Sequence, residues 1–391
     1  MIQIPATAST QARAIKPRDI YFSPTYACNN RCRFCYAPKL ENPEKTHAKK
    51  EDALHVVEFA SGIKARVLKL IGGEPTLYPH LMAILERGEE LGQQIHLISN
   101  GRKLSNEKFF DRLVESGLNS LSVSVHGSKK EIHEGLTGVK SSFRQSMKAI
   151  DLALDYGIHV STITTINRKT LKDLPNVVEM FAGKGIHQIN LILTTPHPRG
   201  ENWDVLVQPE EIPVLARIAD ECARLGMDAG VSVRLRMPFP YCWYSQSNLE
   251  LIEYRLNNAW GFRCGATRVH IDIAPDLTVT DCSHNSEEVR LFDLRETTPE
   301  EIAEFMAEHE KVREIREDYM KPKHRMCASC PLYPNVCTGG CPLLYYFYTA
   351  DLIPKLSRGR VLYTGELRHR NRQIPRRPGV SGGNPARLCI Y

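Results

Sequence analysis

The chain has 391 residues, of which 42% are hydrophobic and 25% are charged, a composition typical of a globular protein and too apolar for a disordered one. No apolar run approaches the ~20 residues that a transmembrane helix needs, and residues 1–16 lack the apolar stretch of a signal peptide, so we expect a cytoplasmic protein with no membrane partner. The formal net charge is +6, but residues 351–391 hold nine Lys or Arg against two Asp or Glu, so the excess charge lies in a basic tail.

Strand-like and helix-like segments alternate from residue 19 to residue 238. The predicted strands are residues 19–23, 66–71, 95–99, 120–125, 158–166, 188–194 and 231–236. The predicted helices are residues 50–61, 81–91, 108–116, 143–156, 171–184 and 210–225. This alternation indicates six βα units around a parallel sheet, enough for most of a barrel but not for a closed eight-stranded one. We therefore predict an α/β fold.

The alternation stops after residue 238, where a cysteine-rich region begins. Two short predicted strands, residues 268–273 and 278–281, form a hairpin. The predicted parts are an N-terminal extension (1–18), the barrel (19–238), a C-terminal domain (239–350) and the basic tail (351–391). Twelve cysteines in a chain of this size and kind indicate metal binding rather than disulfides.

Three cysteines follow the first predicted strand with the spacing C-x3-C-x2-C: Cys28, Cys32 and Cys35. Three thiolates on one short loop can hold three irons of a four-iron cluster and leave the fourth iron open to a ligand. A structural zinc site is the alternative, but such a site normally takes four protein ligands, and no fourth Cys or His is close in the sequence. The loop follows a strand, and βα folds place their chemistry at that edge of the sheet.

This loop, including the aromatic Phe34 before its third Cys, resembles the cluster loop of the radical S-adenosylmethionine (SAM) superfamily. The resemblance implies a partial (β/α)6 TIM-like barrel and a [4Fe-4S] cluster whose open iron chelates SAM. In that family the reduced cluster splits SAM to a 5′-deoxyadenosyl radical, which takes a hydrogen atom from the substrate. An electron donor such as flavodoxin or ferredoxin is the implied partner. Phe34 and Tyr36, on either side of Cys35, are predicted cofactor contacts.

The second predicted strand ends in Gly72-Gly73-Glu74-Pro75. By itself this run is consistent with an ordinary turn, although two glycines also let a ligand approach the backbone closely. One βα unit after the cysteine loop, it resembles the GGE motif of the superfamily. The resemblance implies that Glu74 holds the methionyl ammonium group of SAM.

Three polar residues at later strand ends are further predicted cofactor contacts: Asn100, Ser124 and His126. The resemblance implies contacts with the SAM carboxylate and ribose for the first two, whereas His126 is equally consistent with a plain strand-end residue. The Arg of the family's His-Asp-x-x-Arg pattern is absent from residues 133–137, and Arg144 is a candidate replacement.

A second cysteine run, with the spacing C-x2-C-x6-C-x3-C, lies near the C-terminus. Four cysteines in one run would also suit a structural zinc site. The run resembles the SPASM domain, which carries two auxiliary [4Fe-4S] clusters, although its middle spacing has one residue more than usual and Leu277 replaces the usual hairpin glycine. The resemblance assigns to the nearer cluster Cys264, Cys282, Cys341 and, as a candidate fourth ligand, Cys242. It assigns to the outer cluster Cys327, Cys330, Cys337 and Cys389.

Three hairpin residues are candidates for the group that takes a proton from an oxidised substrate: His270, Asp272 and Asp281. Some relatives have an Asp directly after the hairpin Cys, where this chain has Ser283. Strand alternation would point Asp281 and Cys282 to opposite faces. The alternative is that all three candidates are ordinary surface residues.

The resemblance favours a radical SAM enzyme that crosslinks, epimerises or oxidises a ribosomal peptide, since SPASM enzymes mostly modify peptides. The alternatives are the radical oxidation, epimerisation or rearrangement of a small molecule such as an aminoglycoside or sugar, and a non-enzymatic iron–sulfur or zinc-binding module. The last of these leaves the GGE motif unexplained. Only about eighteen residues precede the first strand, so we expect a separate leader-binding carrier protein, or the basic tail, to recognise a peptide leader. The basic tail could bind acidic peptide, phosphate or nucleic acid, but a solvated, partly disordered segment is the favoured interpretation, so a nucleic-acid partner is not expected.

Overall fold

The structure is a computed structural model that describes residues 19–37, 47–196, 202–236, 251, 254, 271–285, 289–322, 327–330, 333 and 337–341. Seven parallel strands follow one another across one sheet in chain order. They are β1 (Asp19–Thr25), β2 (Val67–Gly72), β3 (Ile95–Ser99), β4 (Ser120–Ser124), β5 (His159–Ile166), β6 (Gln188–Leu193) and β7 (Ser232–Leu235). The helices between them are α1 (Lys50–Gly62), α2 (Leu81–Glu90), α3 (Glu107–Glu115), α4 (Lys130–Thr137), α5 (Ser142–Asp155), α6 (Leu174–Gly183) and α7 (Ile212–Asp228). The predicted partial α/β barrel is confirmed, and helix α4 is an addition to the predicted elements.

The strands are apolar on the face that the helices cover and polar on the other face. Phe22 of β1, Leu70 of β2 and Val123 of β4 are fully buried in the hydrophobic core. Their neighbours Tyr21 and Lys69 point to the opposite face, because successive side chains alternate along a strand. A parallel sheet packed into a hydrophobic core on both faces would instead have continuous apolar strands. The polar face therefore lines the interior of the barrel.

The hairpin beyond the predicted domain boundary belongs to the same sheet. Its strands are β8 (Ile271–Ile273) and β9 (Thr278–Thr280), and β10 (Phe292–Asp293) follows them. Strand β8 lies parallel to β1, with Ile271 opposite Ile20 and Ile273 opposite Phe22. The full sheet has the order β10-β9-β8-β1-β2-β3-β4-β5-β6-β7. The hairpin of the cysteine-rich region is thus hydrogen-bonded directly to the strand that leads into the loop of the first three cysteines.

Leu277, in the turn of this hairpin, has a φ of 66°, in the left-handed region that favours glycine. Its side chain is fully buried, and its carbonyl accepts a hydrogen bond of 2.9 Å from Leu294 N. A left-handed conformation costs a non-glycine residue about 1–2 kcal/mol. The position where the family resemblance expects glycine therefore keeps the glycine conformation, and the burial of Leu277 offsets the strain.

Two further helices that the sequence pattern did not predict, α8 (Ile302–Glu308) and α9 (Glu310–Tyr319), follow β10. The Phe305 ring of α8 packs edge-on against the Phe292 ring of β10, with 4.8 Å between the centroids. These helices cover the outer end of the sheet on the hairpin side. In the ranges given above, no helix is long and apolar enough to cross a membrane.

Candidate functional site

The first three cysteines lie on residues 26–36, here called the cluster loop, which leaves the carboxyl end of β1 and rests on helix α4. Arg31 N donates a hydrogen bond of 2.8 Å to the carbonyl of Thr137, and Arg33 N donates one of 3.4 Å to that of Leu136. Both carbonyls lie in the last turn of α4, where they have no partner within the helix. A helix that the sequence pattern missed thus supports the loop.

The three cysteines of the cluster loop are free, and none forms a disulfide. Burial raises the pKa of Cys28 to about 11, with smaller contributions from the nearby Glu74 and Cys35. Burial, together with Cys35 and Cys28, also raises the pKa of Cys32. The thiols therefore need a cationic centre to become thiolates, as metal ligands must be. Among the described residues no three His, Cys, Asp or Glu side chains could hold a single metal ion. A four-iron cluster fits the loop better, since it takes each thiolate on a separate iron.

The two glycines of the GGE motif lie directly against the cluster loop. A Cβ atom on Gly73 would be 2.4 Å from the carbonyl oxygens of Tyr26 and Ala27. Gly73 N donates to Thr25 O at 2.9 Å, and the next amide, that of residue 74, donates to Ala27 O at 2.8 Å. A Cβ on Gly72 would likewise be 2.4 Å from Thr25 O. Gly72 thus admits the backbone at the end of β1, and Gly73 admits the backbone at the start of the cluster loop.

The Glu74 carboxylate is buried and joins the ends of β2 and β3. Its Oε1 accepts hydrogen bonds from Thr76 N at 3.2 Å, Thr76 Oγ1 at 2.6 Å and Ser99 Oγ at 2.7 Å, and its Oε2 accepts from Asn100 N at 2.7 Å. Burial raises the pKa of Glu74, and these hydrogen bonds oppose the increase. A carboxylate oxygen accepts about two hydrogen bonds, so Oε2 retains one acceptor position for an ammonium group.

Asn100 and Arg102, just past β3, hold the loop beside Cys28. Asn100 Nδ2 donates to Asn29 Oδ1 at 2.7 Å and lies 4.0 Å from Cys28 Sγ. The Arg102 guanidinium donates to the carbonyl of Asn29 and, at 2.8 Å, to Gln145 Oε1. Sequence reasoning missed Arg102, although its position directly after a predicted strand-end site was a usable signal. Arg102 is the cation that the structure places on the cluster loop.

His126 lies just beyond the end of β4, between the cluster loop and helix α4. Its ring is edge-on to the Phe34 ring, with 4.7 Å between the centroids, and is stacked on the His133 ring at 5.7 Å. Its Nδ1 accepts a hydrogen bond of 3.2 Å from Thr165 N. Burial, with a contribution from His133, holds the pKa of His126 well below its usual value. The ring is therefore neutral, and its remaining proton is on Nε2.

Ser124 and Arg144 are the remaining residues that the sequence linked to SAM. Ser124 ends β4 on the interior face and is partly exposed. Arg144 lies in the first turn of α5 and is exposed. In the described part of the chain neither side chain makes a hydrogen bond.

Tyr36 connects the cluster loop to the hairpin. Its ring centroid is 4.1 Å from that of His284, and His284 Nδ1 is 3.7 Å from Cys282 Sγ. Burial, with a contribution from Asp272, raises the pKa of Tyr36. A small pocket at this junction is lined by Ser23, Tyr26, Tyr36, Gly72, Asp272, Ala274, Thr280 and Ser283.

The two candidate acids of the hairpin face different surroundings. Asp272 of β8 is 3% exposed, lies opposite Tyr21 of β1 in the sheet and lines the pocket beside the cluster loop. Asp281 is also buried, but its Oδ2 accepts a hydrogen bond of 2.8 Å from Tyr319 Oη on α9. Neither is a surface residue. His270, the third candidate, lies outside the described residues.

Five of the predicted auxiliary ligands lie within the described residues: Cys282, Cys327, Cys330, Cys337 and Cys341. Cys337 and Cys341 are buried, and the others are partly exposed. Gly339 N donates to Cys337 Sγ at 3.3 Å, a contact of the kind that stabilises a thiolate. Three further predicted ligands lie outside the described residues: Cys242, Cys264 and Cys389.

Comparison with known proteins identifies the barrel. Residues 22–181 match the family model described as the radical SAM superfamily. An AdoMet-dependent heme synthase from Methanosarcina barkeri is 25% identical over 188 residues, which are 48% of this chain and 54% of that protein. The chain thus spans about half the length of the curated relatives it matches.

Two solved structures share the fold over most of the chain. Streptococcus suis SuiB bound to the precursor peptide SuiA has a TM-score of 0.66 at 15% identity, covering 84% of this chain and 72% of that chain. Native anSMEcpe with bound AdoMet and the Cp18Cys peptide has a TM-score of 0.63 at 20% identity, covering 88% of this chain and 98% of that chain. The matched residues 22–181 contain the cluster loop, the GGE motif and strands β2 to β5. Residues 22–181 of this chain therefore match the radical SAM superfamily, and the fold is shared with SuiB and anSMEcpe.

Proposed function

We propose that this protein is an enzyme that reductively cleaves SAM at a cluster held by Cys28, Cys32 and Cys35 and takes a hydrogen atom from its substrate. The observation that carries the proposal is the group of three free cysteines on a loop at the carboxyl edge of a parallel partial barrel. A four-iron cluster and SAM, when bound there, would supply the 5′-deoxyadenosyl radical.

The surrounding residues of the chain bind and orient the cofactor in this proposal. Glu74 keeps the ends of β2 and β3 together, and the open acceptor position of its Oε2 suits the ammonium group of SAM. Asn100 Nδ2, 4.0 Å from Cys28 Sγ, is a polar donor beside the site. The neutral His126 ring offers an Nε2–H donor next to Phe34.

We further propose two auxiliary [4Fe-4S] clusters in the cysteine-rich region. The left-handed backbone conformation of Leu277 supports the resemblance of this hairpin to that of the SPASM domain. The burial of Cys337 and Cys341 supports a metal site closed to solvent. The contacts from Tyr36 through His284 to Cys282 bring the hairpin next to the cluster loop. Thiolates that serve separate irons need not converge on one point, which agrees with the described geometry.

A peptide is the substrate class that the related folds support, since SuiB and anSMEcpe were each solved with a bound peptide. Asp272 is the proton acceptor we propose, because it faces the pocket beside the cluster loop while Asp281 is hydrogen-bonded to Tyr319. In an oxidation, the Asp272 carboxylate would take the proton that the substrate loses, and an iron–sulfur cluster held by the hairpin-side cysteines would supply an electron acceptor. We also propose two partner proteins. One is an electron donor of the flavodoxin or ferredoxin class, and the other is a separate carrier protein that binds the peptide leader.

The test of SAM cleavage is the triple substitution of Cys28, Cys32 and Cys35 by Ala in anaerobically reconstituted protein. We expect wild type to bind about twelve irons per chain and the variant about four fewer, with no 5′-deoxyadenosine formed. Cys222→Ala is the matched control, since this buried cysteine of α7 is outside the site and should leave both readouts unchanged. Persistent 5′-deoxyadenosine formation by the triple variant would refute the assignment. Iron near four per chain with stoichiometric zinc would refute the auxiliary clusters alone.

The test of the proton acceptor compares Asp272→Asn with Asp281→Asn on a peptide encoded beside the gene. Asp272→Asn should retain all irons and form 5′-deoxyadenosine, but lose the mass change of the peptide. Asp281→Asn should keep the mass change, because its contact is with Tyr319. Wild-type product formation by Asp272→Asn would remove Asp272 from the mechanism.

A further inference from the structure

A group of exposed cations lies beside the cluster loop, where helices α4 and α5 meet. Arg31 of the loop rests on the turn between these helices, since a Cβ atom added to Gly138 would be 3.4 Å from both the Cβ and the carbonyl oxygen of Arg31. Lys140 lies two residues further along the same turn, at most about 7 Å of chain from Gly138. Arg144 lies in the first turn of α5, which follows directly. The side chains of Arg31, Lys140 and Arg144 are here called the basic surface.

The cations of the basic surface have no acidic partner in the part of the chain that the structure describes. All three residues are exposed, and their side chains form no ion pair or hydrogen bond there. The neighbouring Arg33, Lys130 and Lys148 differ, since each of them has a carboxylate oxygen within 3.8 Å. The basic surface therefore keeps its positive charge available to another molecule.

The positive charge of this region is local. The chain has 51 Lys or Arg and 45 Asp or Glu, of which nine and two lie in the basic tail, so the remainder has a net charge of −1. Residues 129–148, which include α4 and the first half of α5, contain five Lys or Arg against two Asp or Glu. A cationic area on a nearly neutral body directs electrostatic attraction for an anionic partner to that area.

The basic surface borders the loop that carries the proposed cluster ligands. Cys32 lies between the exposed Arg31 and Arg33, and Cys28 is itself exposed. Helices α4 and α5 cover the outer face of the sheet, whereas the polar face lines the interior of the barrel. A protein that covers Arg31 would therefore lie next to a cluster ligand without entering the barrel, which stays open to the substrate.

We propose that the basic surface is the docking site of an acidic redox protein that delivers the electron for SAM cleavage. This inference rests on the proposed function, which requires one electron at the cluster loop for each SAM that is cleaved. In a flavodoxin, the flavin hydroquinone loses that electron and becomes the semiquinone, and the cluster gains it, so no bond forms or breaks at the docking site. Complementary charges steer such a transient encounter, and redox encounters need only a small interface.

The experiment measures the binding of oxidised flavodoxin to full-length, cluster-loaded protein by calorimetry at low ionic strength. Lys140→Glu should weaken binding about tenfold and Arg31→Gln several-fold, because the first reverses a charge and the second removes one. Arg224→Glu is the matched control and should bind like wild type, since Arg224 is an exposed arginine of α7, which packs against α6 and β7. In about 1 M salt the difference between wild type and Lys140→Glu should disappear, because exposed charges are then screened.

The choice of reductant separates docking from the chemistry. With limiting flavodoxin hydroquinone, Lys140→Glu should form 5′-deoxyadenosine more slowly than wild type, by about the factor by which its binding is weakened. With dithionite, a small reductant that needs no docking site, the two proteins should be equally fast. The inference is overturned if flavodoxin does not bind, if both surface variants bind like wild type, or if Arg224→Glu weakens binding equally.

An acidic leader peptide is another molecule that a basic surface could bind. Slower modification of the peptide by Lys140→Glu with dithionite as reductant, together with wild-type binding of flavodoxin, would assign the surface to the peptide and overturn the inference.

The binding assay is carried out without SAM, so it is independent of SAM cleavage. Flavodoxin binding that depends on Lys140, with no 5′-deoxyadenosine formed from either reductant, would overturn the proposed function alone. Normal 5′-deoxyadenosine formation with dithionite, without flavodoxin binding, would overturn this inference alone.

Discussion

The close contact between Gly73 and the cluster loop predicts a severe effect for Gly73→Ala. The new Cβ would lie 2.4 to 2.5 Å from three backbone atoms of Tyr26 and Ala27, whereas ordinary contact begins at 3.4 Å. The loop would have to move by about 1 Å. That shift breaks the two hydrogen bonds that the amides of residues 73 and 74 donate to the loop. Each buried group left without a hydrogen bond costs about 1–3 kcal/mol, so we expect the free energy of unfolding to decrease by about 2–6 kcal/mol.

The assay combines urea unfolding of the metal-free protein with iron analysis after anaerobic reconstitution. Gly73→Ala should lose up to about four irons per chain, since the displaced loop carries the three cysteines. Gly135→Ala is the control, because Gly135 lies within α4 and a Cβ added there would have no atom within 4 Å. The free energy of unfolding of this variant should increase by about 0.5–1 kcal/mol, because alanine is the better helix former. Wild-type iron content and unfolding free energy in Gly73→Ala would refute the steric argument.

Three further predictions follow from buried polar groups. His96 and His133 each have a pKa of about 4, below the 6.5 of a histidine in an unfolded chain, so the unfolded state binds more protons. The free energy of unfolding should therefore decrease by up to about 3 kcal/mol per histidine between pH 6.5 and pH 4. His133→Gln should show a smaller decrease by urea titration, and a pH dependence unchanged from that of wild type would contradict the reasoning. Arg102→Gln should release iron to a chelator several-fold faster than wild type, because the loop loses two charge-assisted hydrogen bonds, whereas Arg112→Gln on the exposed face of α3 should not. Glu74→Gln should lower the free energy of unfolding by about 2 kcal/mol, because the glutamine amide cannot accept hydrogen bonds from all four donors. A decrease of less than about 0.5 kcal/mol would show that these four hydrogen bonds are dispensable for stability.

Local patterns predicted the barrel strands well because each strand carries its own signal. Residues 95–99 were predicted with the bounds that β3 has, and the other barrel strands agree within two residues. Helix α4 was missed because it is only eight residues long and contains Gly135, which is a poor helix former. That omission mattered for the site, since the last turn of α4 supports the cluster loop.

The sequence alone predicted the chemistry that we propose for the cysteine loop. The spacing of Cys28, Cys32 and Cys35 depends on covalent distance along the chain, so it can be read without a fold. It also placed Glu74 one βα unit later, because strand ends in parallel βα folds meet at one edge. The resemblance to the radical SAM superfamily followed from these local features.

Only the tertiary structure decided which distant residues complete the site. The Arg102 contact with Asn29 and the approach of Asp272 to the cluster loop each join segments that are far apart in the chain. Such contacts depend on strand register and on the pairing of β8 with β1, and neither has a local sequence signal. The physical reason is that side-chain chemistry is encoded residue by residue, whereas proximity is set by the packing of the whole sheet.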